Sequence, residues 1–216
     1  MSGGRRTTRF RDRIDAGQRL ADALEERDVD ADIALAIPRG GLPLGREVAD
    51  ALGVPLDIIV ASKVGAPDNP EYAIGAVASD GSAWLDERAI ERTGATNEYV
   101  EREREREAEY AREKAERYRG DRDGPDLAGK TVLVVDDGVA TGSTAIAAVR
   151  LARAKGAERI VVAVPVGPPS TVDDLEAEAD EVVCPLTTPT FSAVGQFYEN
   201  FEQVTDEEAM AYLDER

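Results

Sequence analysis

Two adjacent carboxylates, Asp136 and Asp137, stand at the end of the apolar run Val132-Leu133-Val134-Val135. Gly138, Val139 and Ala140 follow, and then Thr141-Gly142-Ser143-Thr144. The run reads as a buried strand, and the hydroxyl residues read as the opening of a helix. Such a helix start offers backbone N–H groups and a positive dipole end, which suits a phosphate. Thr141, Ser143 and Thr144 add hydroxyl donors, and Gly142 lets the backbone come close. Carboxylates do not grip phosphate. They accept hydrogen bonds from vicinal hydroxyls, so the segment suits a ribose that carries a phosphate. The competing reading is a Walker B strand with a metal-binding Asp136. No Walker A loop is expected to serve it, and the dinucleotide pattern GxGxxG is missing.

A second loop has matching chemistry. The apolar run 33–37 ends in Pro38-Arg39-Gly40-Gly41. Two glycines let backbone N–H groups close on an anion, and Arg39 offers a forked guanidinium. Alone, this is an ordinary tight turn. Beside the first loop it becomes a partner, because neighbouring strands of a doubly wound sheet bring their loops together where the strand order reverses.

The elements that would position these loops alternate. Helical spacing marks 10–24, 42–52, 143–154 and 172–179, and apolar or alternating runs mark strands at 33–37, 56–61, 73–78, 131–135, 160–166 and 181–186. This order predicts an α/β fold with a doubly wound, mainly parallel sheet. A loop is expected around 65–70. A long helical insertion, 86–126, precedes the strand that carries Asp136. Its charge run, Glu101 to Glu107, alternates sign at every residue. In a helix the i,i+3 attractions are offset by i,i+4 repulsions, so the gain is small. The stripe Val100, Ala108, Ala111, Ala115 and Tyr118 is expected to lie on the body, with the charges in solvent. One domain is expected over 1–216, with the segment 186–216 closing the chain.

Composition sets limits. There is no histidine, which excludes Ser-His-Asp and Cys-His nucleophiles, histidine-ligated zinc and imidazole acid–base catalysis. The one cysteine, Cys184, has no internal partner, which fits a reducing compartment. Neither a spanning apolar run nor a signal peptide is read, so a cytoplasmic protein is expected. Against 26 Lys and Arg stand 44 Asp and Glu, a net charge of −18 that repels nucleic acid and anionic membranes. The early arginines Arg5, Arg6, Arg9, Arg11 and Arg13 read as a frayed basic terminus. Only Lys63, Lys114, Lys130 and Lys155 are lysines. Few lysines among many acids and alanines suit a halophilic protein, whose self-repulsion concentrated salt would screen.

Residues 132–145 resemble the phosphoribosyl pyrophosphate (PRPP) motif of the type I phosphoribosyltransferases. The resemblance extends over 10–24, Pro38 to Gly41, 63–75 and 191–203. It implies that Asp136 and Asp137 hold the ribose hydroxyls while Ala140 to Thr144 hold the 5′-phosphate. It assigns Arg39, Gly40 and Gly41 to the pyrophosphate, often with a non-proline cis peptide. Lys63 resembles the basic residue that opens a mobile catalytic loop, with Glu71-Tyr72 near its end. Among the C-terminal aromatics, Phe191, Phe197, Tyr198 and Phe201, the acceptor side is expected. The implied activity is Mg²⁺-dependent transfer of ribose 5-phosphate from PRPP to a nitrogen acceptor such as a nucleobase. Mg²⁺ is then held by PRPP rather than by protein ligands, and a homodimer is implied. The alternative is a PRPP-sensing regulator that acts on a protein partner. Ala140 stands where enzymes for 6-oxopurines usually carry Asp. Adenine and orotate transferases fit better at that point, yet no stretch matches their base-binding patterns, so the acceptor stays open.

Overall fold

The sequence becomes helices α1 (Arg13–Glu25), α2 (Gly41–Leu52), α3 (Glu87–Thr93), α4 (Asn97–Arg119), α5 (Ser143–Ala154), α6 (Pro169–Glu176) and α7 (Asp206–Asp214) in a computed structural model, which describes residues 9–120 and 122–214. Its strands are β1 (Ile33–Ala36), β2 (Leu56–Ile58), β3 (Ala61–Ala66), β4 (Asn69–Ala78), β5 (Ala83–Leu85), β6 (Thr131–Val135), β7 (Arg159–Ala163), β8 (Val166–Gly167), β9 (Glu181–Val183) and β10 (Leu186–Thr187).

The mainly apolar runs lie side by side in one parallel sheet of order β2-β1-β6-β7-β9. Register is direct at the site end: Ala36 pairs with Val135 on one side and with Ile58 on the other. Both sheet faces are covered, which is why β1 and the stretches 132–135 of β6 and 160–163 of β7 are apolar at successive positions. Alternation then sorts their side chains. Leu133 and Val135 join a core with Leu20 and Leu24 of α1 and Leu44 and Val48 of α2. Val132 and Val134 join the opposite core with Ala148 and Leu151 of α5. From β1 the order runs outward to β2, and from β6 to β7 and β9. The reversal therefore falls between β1 and β6.

Two expectations change. The apolar stretch 56–61 is not one strand: β2 ends at Ile58, and Ala61 opens β3 of a separate antiparallel sheet, β3-β4-β5. The expected loop at 65–70 is the tip of that hairpin, with Ala66 paired to Asn69. Register slips between Val64 and Ala66 leave Pro70 in an irregular stretch, where a residue without an N–H is tolerated.

The segment 86–126 holds α3 and α4. Val100, Ala108, Ala111, Ala115 and Tyr118 are buried as the stripe requires, and Glu103 is buried with them, paired to Arg106 at 2.6 Å. Asp86 and Thr96 cap the two helices by accepting from the N–H groups of Ala89 and Tyr99.

Contrary to the expectation that no Walker A loop occurs, Gly124, Gly129, Lys130 and Thr131 fit its GxxxxGKT spacing. The structure gives them another place. Thr131 opens strand β6 rather than a helix, and the stretch sits at the amino ends of the strands, away from Asp136. Among the described residues no helix is long and apolar enough to cross a membrane.

Candidate active site

At the carboxyl ends of β1 and β6 a cavity of about 430 Å³ is lined by Arg39 and Gly40 from one loop and Asp136, Asp137 and Thr144 from the other. The loops touch. A Cβ built on Gly40 would stand 2.7 Å from the Asp137 carboxyl carbon, and one on Gly41 would stand 2.6 Å from the Val135 carbonyl oxygen. No side chain fits at either position, so the two glycines let α2 begin against the tip of β6. The Pro38–Arg39 peptide is cis, as the resemblance implies.

Both helices that open on this cavity lack a side-chain cap. α1, α3 and α4 are capped by Asp12, Asp86 and Thr96, and Thr205 serves the first turn of α7. α2 begins after Gly40 and α5 after Gly142, neither with a capping side chain; α6, which starts with proline, lacks one as well. The initial N–H groups of α5 are thus left for an anion. Gly142 has φ of 72°, a left-handed conformation natural to glycine. Thr171 pins the loop by donating to the Ala140 carbonyl at 2.7 Å. The hydroxyls of Thr141 and Ser143 lie 3.2 Å apart.

The two acids have different surroundings. Arg13 of α1 donates to Asp137 Oδ2 from Nε and from Nη2, each at 2.8 Å. The same guanidinium donates to the Glu202 carbonyl at 2.6 Å and lies 4.0 Å from the Phe201 ring centroid. Tyr198 donates its hydroxyl to the Asp137 carbonyl at 2.6 Å. Asp136 Oδ1 accepts the Asp137 N–H at 2.9 Å. Burial pushes the Asp136 carboxyl well above the usual carboxylate range, and the Asp137 charge adds to it. Burial also raises Asp137, and Arg13 opposes that rise. Across the cavity, Lys114 of α4 donates to the Pro38 carbonyl at 3.3 Å. Its pKa is lowered, by burial first and by the Arg39 charge second.

Sequence reasoning brings Arg39, Gly40, Asp136, Asp137 and Thr144 to one cavity, with Gly41 packed beneath it. It places other residues less well. Arg13 belongs to the site and not to a frayed terminus; Arg5 and Arg6 lie outside the described residues. Lys114 also lines the cavity, although it sits in a charge-rich helix read as solvated. Lys63 does not line it. Lys63 lies in the β3 ladder opposite Ala76, two residues beyond the cavity-lining Ala61 and on the same strand face. The Glu71 side chain is outside what the structure describes, and Tyr72 is exposed. Phe197 and Tyr198 are buried in the core with Phe10, and Phe191 stacks on Phe197 at 5.2 Å. None of these three lines the cavity. They are apolar surfaces that the segment uses to dock, and Phe201 is the aromatic that reaches the site.

For a metal, the donor set decides what fits. The cavity offers two carboxylates, and no cluster of three or more Asp, Glu, Cys or His suited to a metal occurs among the described residues. That suits Mg²⁺ brought on substrate oxygens, since Mg²⁺ keeps waters and takes only one or two carboxylates. It does not suit a protein cage.

The chain is similar to known proteins over most of its length. A crystal structure of TT1426 from Thermus thermophilus superposes with a TM-score of 0.89 at 45% identity, covering 95% of this chain and 97% of that one. Two Mycobacterium tuberculosis proteins, from strains CDC 1551 and H37Rv and provisionally named phosphoribosyl transferases, are 45% identical over 208 residues. The match covers 95% of this chain and 46% of theirs, so the chain spans about half the length of those relatives. Residues 11–202 match the family model of the phosphoribosyl transferase domain, and the chain belongs to that family.

Proposed function

We propose that the chain transfers ribose 5-phosphate from PRPP to a nitrogen acceptor, with release of pyrophosphate. The observation that carries this reading is the meeting of two uncapped, glycine-bearing loops over a half-buried acid pair, at the reversal of a parallel sheet. In this reading the N-terminus of α5, with Thr141, Ser143 and Thr144, takes the 5′-phosphate. Asp136 accepts from the ribose diol, and Asp137 is held in place by Arg13 and Tyr198. Arg39 and the N-terminus of α2 face the diphosphate.

Breaking the anomeric bond builds positive charge on the sugar and negative charge on the departing diphosphate. Fixed groups aimed at those charges lower the barrier without reorganising. Ionised Asp136 opposes the first charge, and Arg39 and Lys114 oppose the second. Asp136 would also contribute to holding Mg²⁺; when bound, the ion supplies further positive charge beside the diphosphate oxygens. Lys63, on the hairpin beside the cavity, joins this set once the ligand brings the hairpin and loops together. Water must be kept out, because it would capture the sugar. With no histidine in the chain, proton transfer falls to carboxylates, water or the diphosphate itself.

The acceptor approaches from the side of Phe201, Gln203 and Val204, whose faces suit a flat heterocycle. The test is incubation with PRPP and Mg²⁺ across purine and pyrimidine bases while pyrophosphate release is followed. Base-dependent release is expected, and it should vanish when Asp136→Asn and Asp137→Asn are combined. PRPP binding without turnover on any base would point to a regulator instead.

A further inference from the structure

The loop between β6 and α5 has a back as well as a front. Gly138, Val139 and Gly142 are buried, while Ala140, Thr141 and Thr144 are exposed. The back is pressed against β8 and α6. The Val139 N–H donates to the Val166 carbonyl at 3.0 Å, and a Cβ built on Gly167 would stand 2.7 Å from Val139 Cγ2. In the first turn of α6 stands Thr171, one of the few buried polar residues among those described. Its hydroxyl donates to the Ala140 carbonyl at 2.7 Å, across 31 residues of sequence. Its Cγ2 would stand 2.8 Å from a Cβ built on Gly142.

That hydrogen bond fixes a direction and not only a position. A peptide unit is planar, and in the trans form its C=O and N–H point opposite ways. Among the described residues only the Pro38–Arg39 bond is cis, so the Ala140–Thr141 unit is trans. With the Ala140 carbonyl turned back to Thr171, the Thr141 N–H is turned away from α6, to the side where Thr141 and Thr144 are exposed. Rotating this one unit would do the reverse and set a carbonyl oxygen where an anion has to sit. Anion-binding loops work by presenting successive N–H groups, so the orientation decides whether the loop attracts or repels. Glycines stand on both sides of the segment, at 138 and 142, and make its backbone permissive. A β-branched side chain such as Thr171 is stiff at χ1 and therefore suited to hold it.

We propose that Thr171 is a positioning residue for anion binding by this loop. Its hydroxyl holds the Ala140–Thr141 peptide with the N–H toward the phosphate of a phosphomonoester, and its methyl group seats Gly142. The inference rests on the reading that this loop takes the sugar 5′-phosphate. What it adds is the group, outside the loop and outside the cavity lining, that sets the polarity of the loop.

The test is titration of the full chain with ribose 5-phosphate, followed by calorimetry and by the amide proton resonance of Thr141. Wild type is compared with Thr171→Ser, which keeps the hydroxyl, and with Thr171→Val and Thr171→Ala, which lack it. Circular dichroism verifies folding; valine keeps the shape and alanine relieves crowding at the carbonyl, so the second serves where the first does not fold. In wild type and Thr171→Ser the ligand is expected to move the Thr141 amide downfield, as a hydrogen bond to phosphate does. In the hydroxyl-free variants that shift is expected to be lost and affinity to fall about tenfold or more, the scale of one charge-assisted hydrogen bond. A merely structural role would lower the melting point without separating serine from valine at this amide. No binding of ribose 5-phosphate to wild type overturns the reading of the loop, and this inference with it. Binding to wild type, with shift and affinity unchanged in the hydroxyl-free variants, overturns the role of Thr171 and leaves that reading standing. A serine variant as weak as the valine variant does the same.

Discussion

The α-carbon of Gly40 lies directly against the carboxyl group of Asp137, with no room for a single methyl between them. One loop carries the candidate diphosphate contact and the other the candidate diol contact, so this approach fixes their separation. Gly40 has φ of −59° and ψ of −34°, ordinary helical values. Its glycine is therefore required by the neighbour and not by the backbone.

Gly40→Ala tests this. The new Cβ would stand 2.7 Å from the Asp137 carboxyl carbon, and Arg13 holds that carboxyl in place. Overpacking of this kind costs about 1–3 kcal/mol. Urea midpoints should show that loss, and pyrophosphate release should fall at least about tenfold, equivalent to ~1.4 kcal/mol of barrier. An alanine variant with wild-type turnover would mean the spacing is irrelevant to the chemistry.

Asp136→Asn should make the ligand-free fold more stable at neutral pH while removing activity. Burial, and then the Asp137 charge, raise the Asp136 pKa above its ordinary 3.8. As pH climbs past 3.8 the unfolded chain gives up this proton first, while the folded chain holds it. The folded state then binds more protons, so stability falls as pH rises through the raised folded value. Asparagine never carries that charge, and its Oδ1 can still accept the Asp137 N–H. Melting temperatures of the two proteins should converge near pH 4 and separate toward pH 8, with the variant higher. A wild type that melts above the variant at pH 8 would refute this.

The parts of the site that could be read from sequence are those built from contiguous residues. The run into Asp136, the turn at Gly142 and the helix 143–154 are local, because a buried strand and a helix start each leave a periodic mark. The stripe on α4 was legible for the same reason. Arg13 was not, because its partner Asp137 is 124 residues away and nothing nearby distinguishes it from Arg9 or Arg11. Lys114 was hidden in a charge-rich helix; its place beside Ala111 and Ala115, at the edge of the buried stripe, was the available signal. The start of the hairpin β3-β4 is not legible because 58–61 is one unbroken apolar run across the change of sheet. Composition does not say where a chain leaves one sheet for another. The aromatic cluster near the C-terminus was read by type alone, and type does not separate Phe201, which reaches the cavity, from Phe197, which packs beneath it.

Arg13→Ala should be costly, and more so at high pH. The pair is mostly enclosed, with side chains 11% and 14% exposed. Removing one partner of a buried pair costs about 3–5 kcal/mol, because it strands the other charge. The Glu202 carbonyl loses its donor as well. Asp137 is already raised by burial with Arg13 opposing, so the variant raises it further. The penalty should shrink as pH falls and the carboxyl takes a proton. Adding Asp137→Asn should recover part of the loss at pH 8, measured as a double-mutant cycle. A strictly additive cycle would show that the pair is not coupled.

Asp80 ties the β4–β5 turn to the end of α5 through Lys155. Burial pushes its carboxyl up, but hydrogen bonds from Lys155 and Ser82 outweigh that and hold it at about 2. The sign is opposite to Asp136: this contact stabilises above pH 3.8 and is lost as pH falls through 2. Asp80 is half exposed, so screening limits its worth to about 1 kcal/mol or less. Asp80→Ala should therefore barely move the melting point at pH 7. It should speed hydrogen exchange in β3 and β4, the hairpin that carries Lys63, and leave β6 unchanged. Uniform acceleration through both sheets would argue against a local tether.

Salt should stabilise this fold, although two effects oppose each other. On α4, Glu101–Arg104 at 2.8 Å and Glu109–Arg112 at 2.6 Å are exposed attractions that salt weakens. Each is worth about 0.2–0.5 kcal/mol at most, and each acts within one turn of helix. The repulsion of a net charge of −18 acts across the whole surface. Raising ionic strength from 0.1 M to 1 M shortens the screening length from about 10 Å to about 3 Å, which removes most of that long-range term. The short pairs, partly in contact, lose less. Melting temperature should therefore rise steadily between 0.1 M and 2 M KCl, and Glu105→Lys, which lowers the net charge on an exposed face, should flatten the slope. A melting point that is level or falls over this range would show that self-repulsion is not what limits the fold.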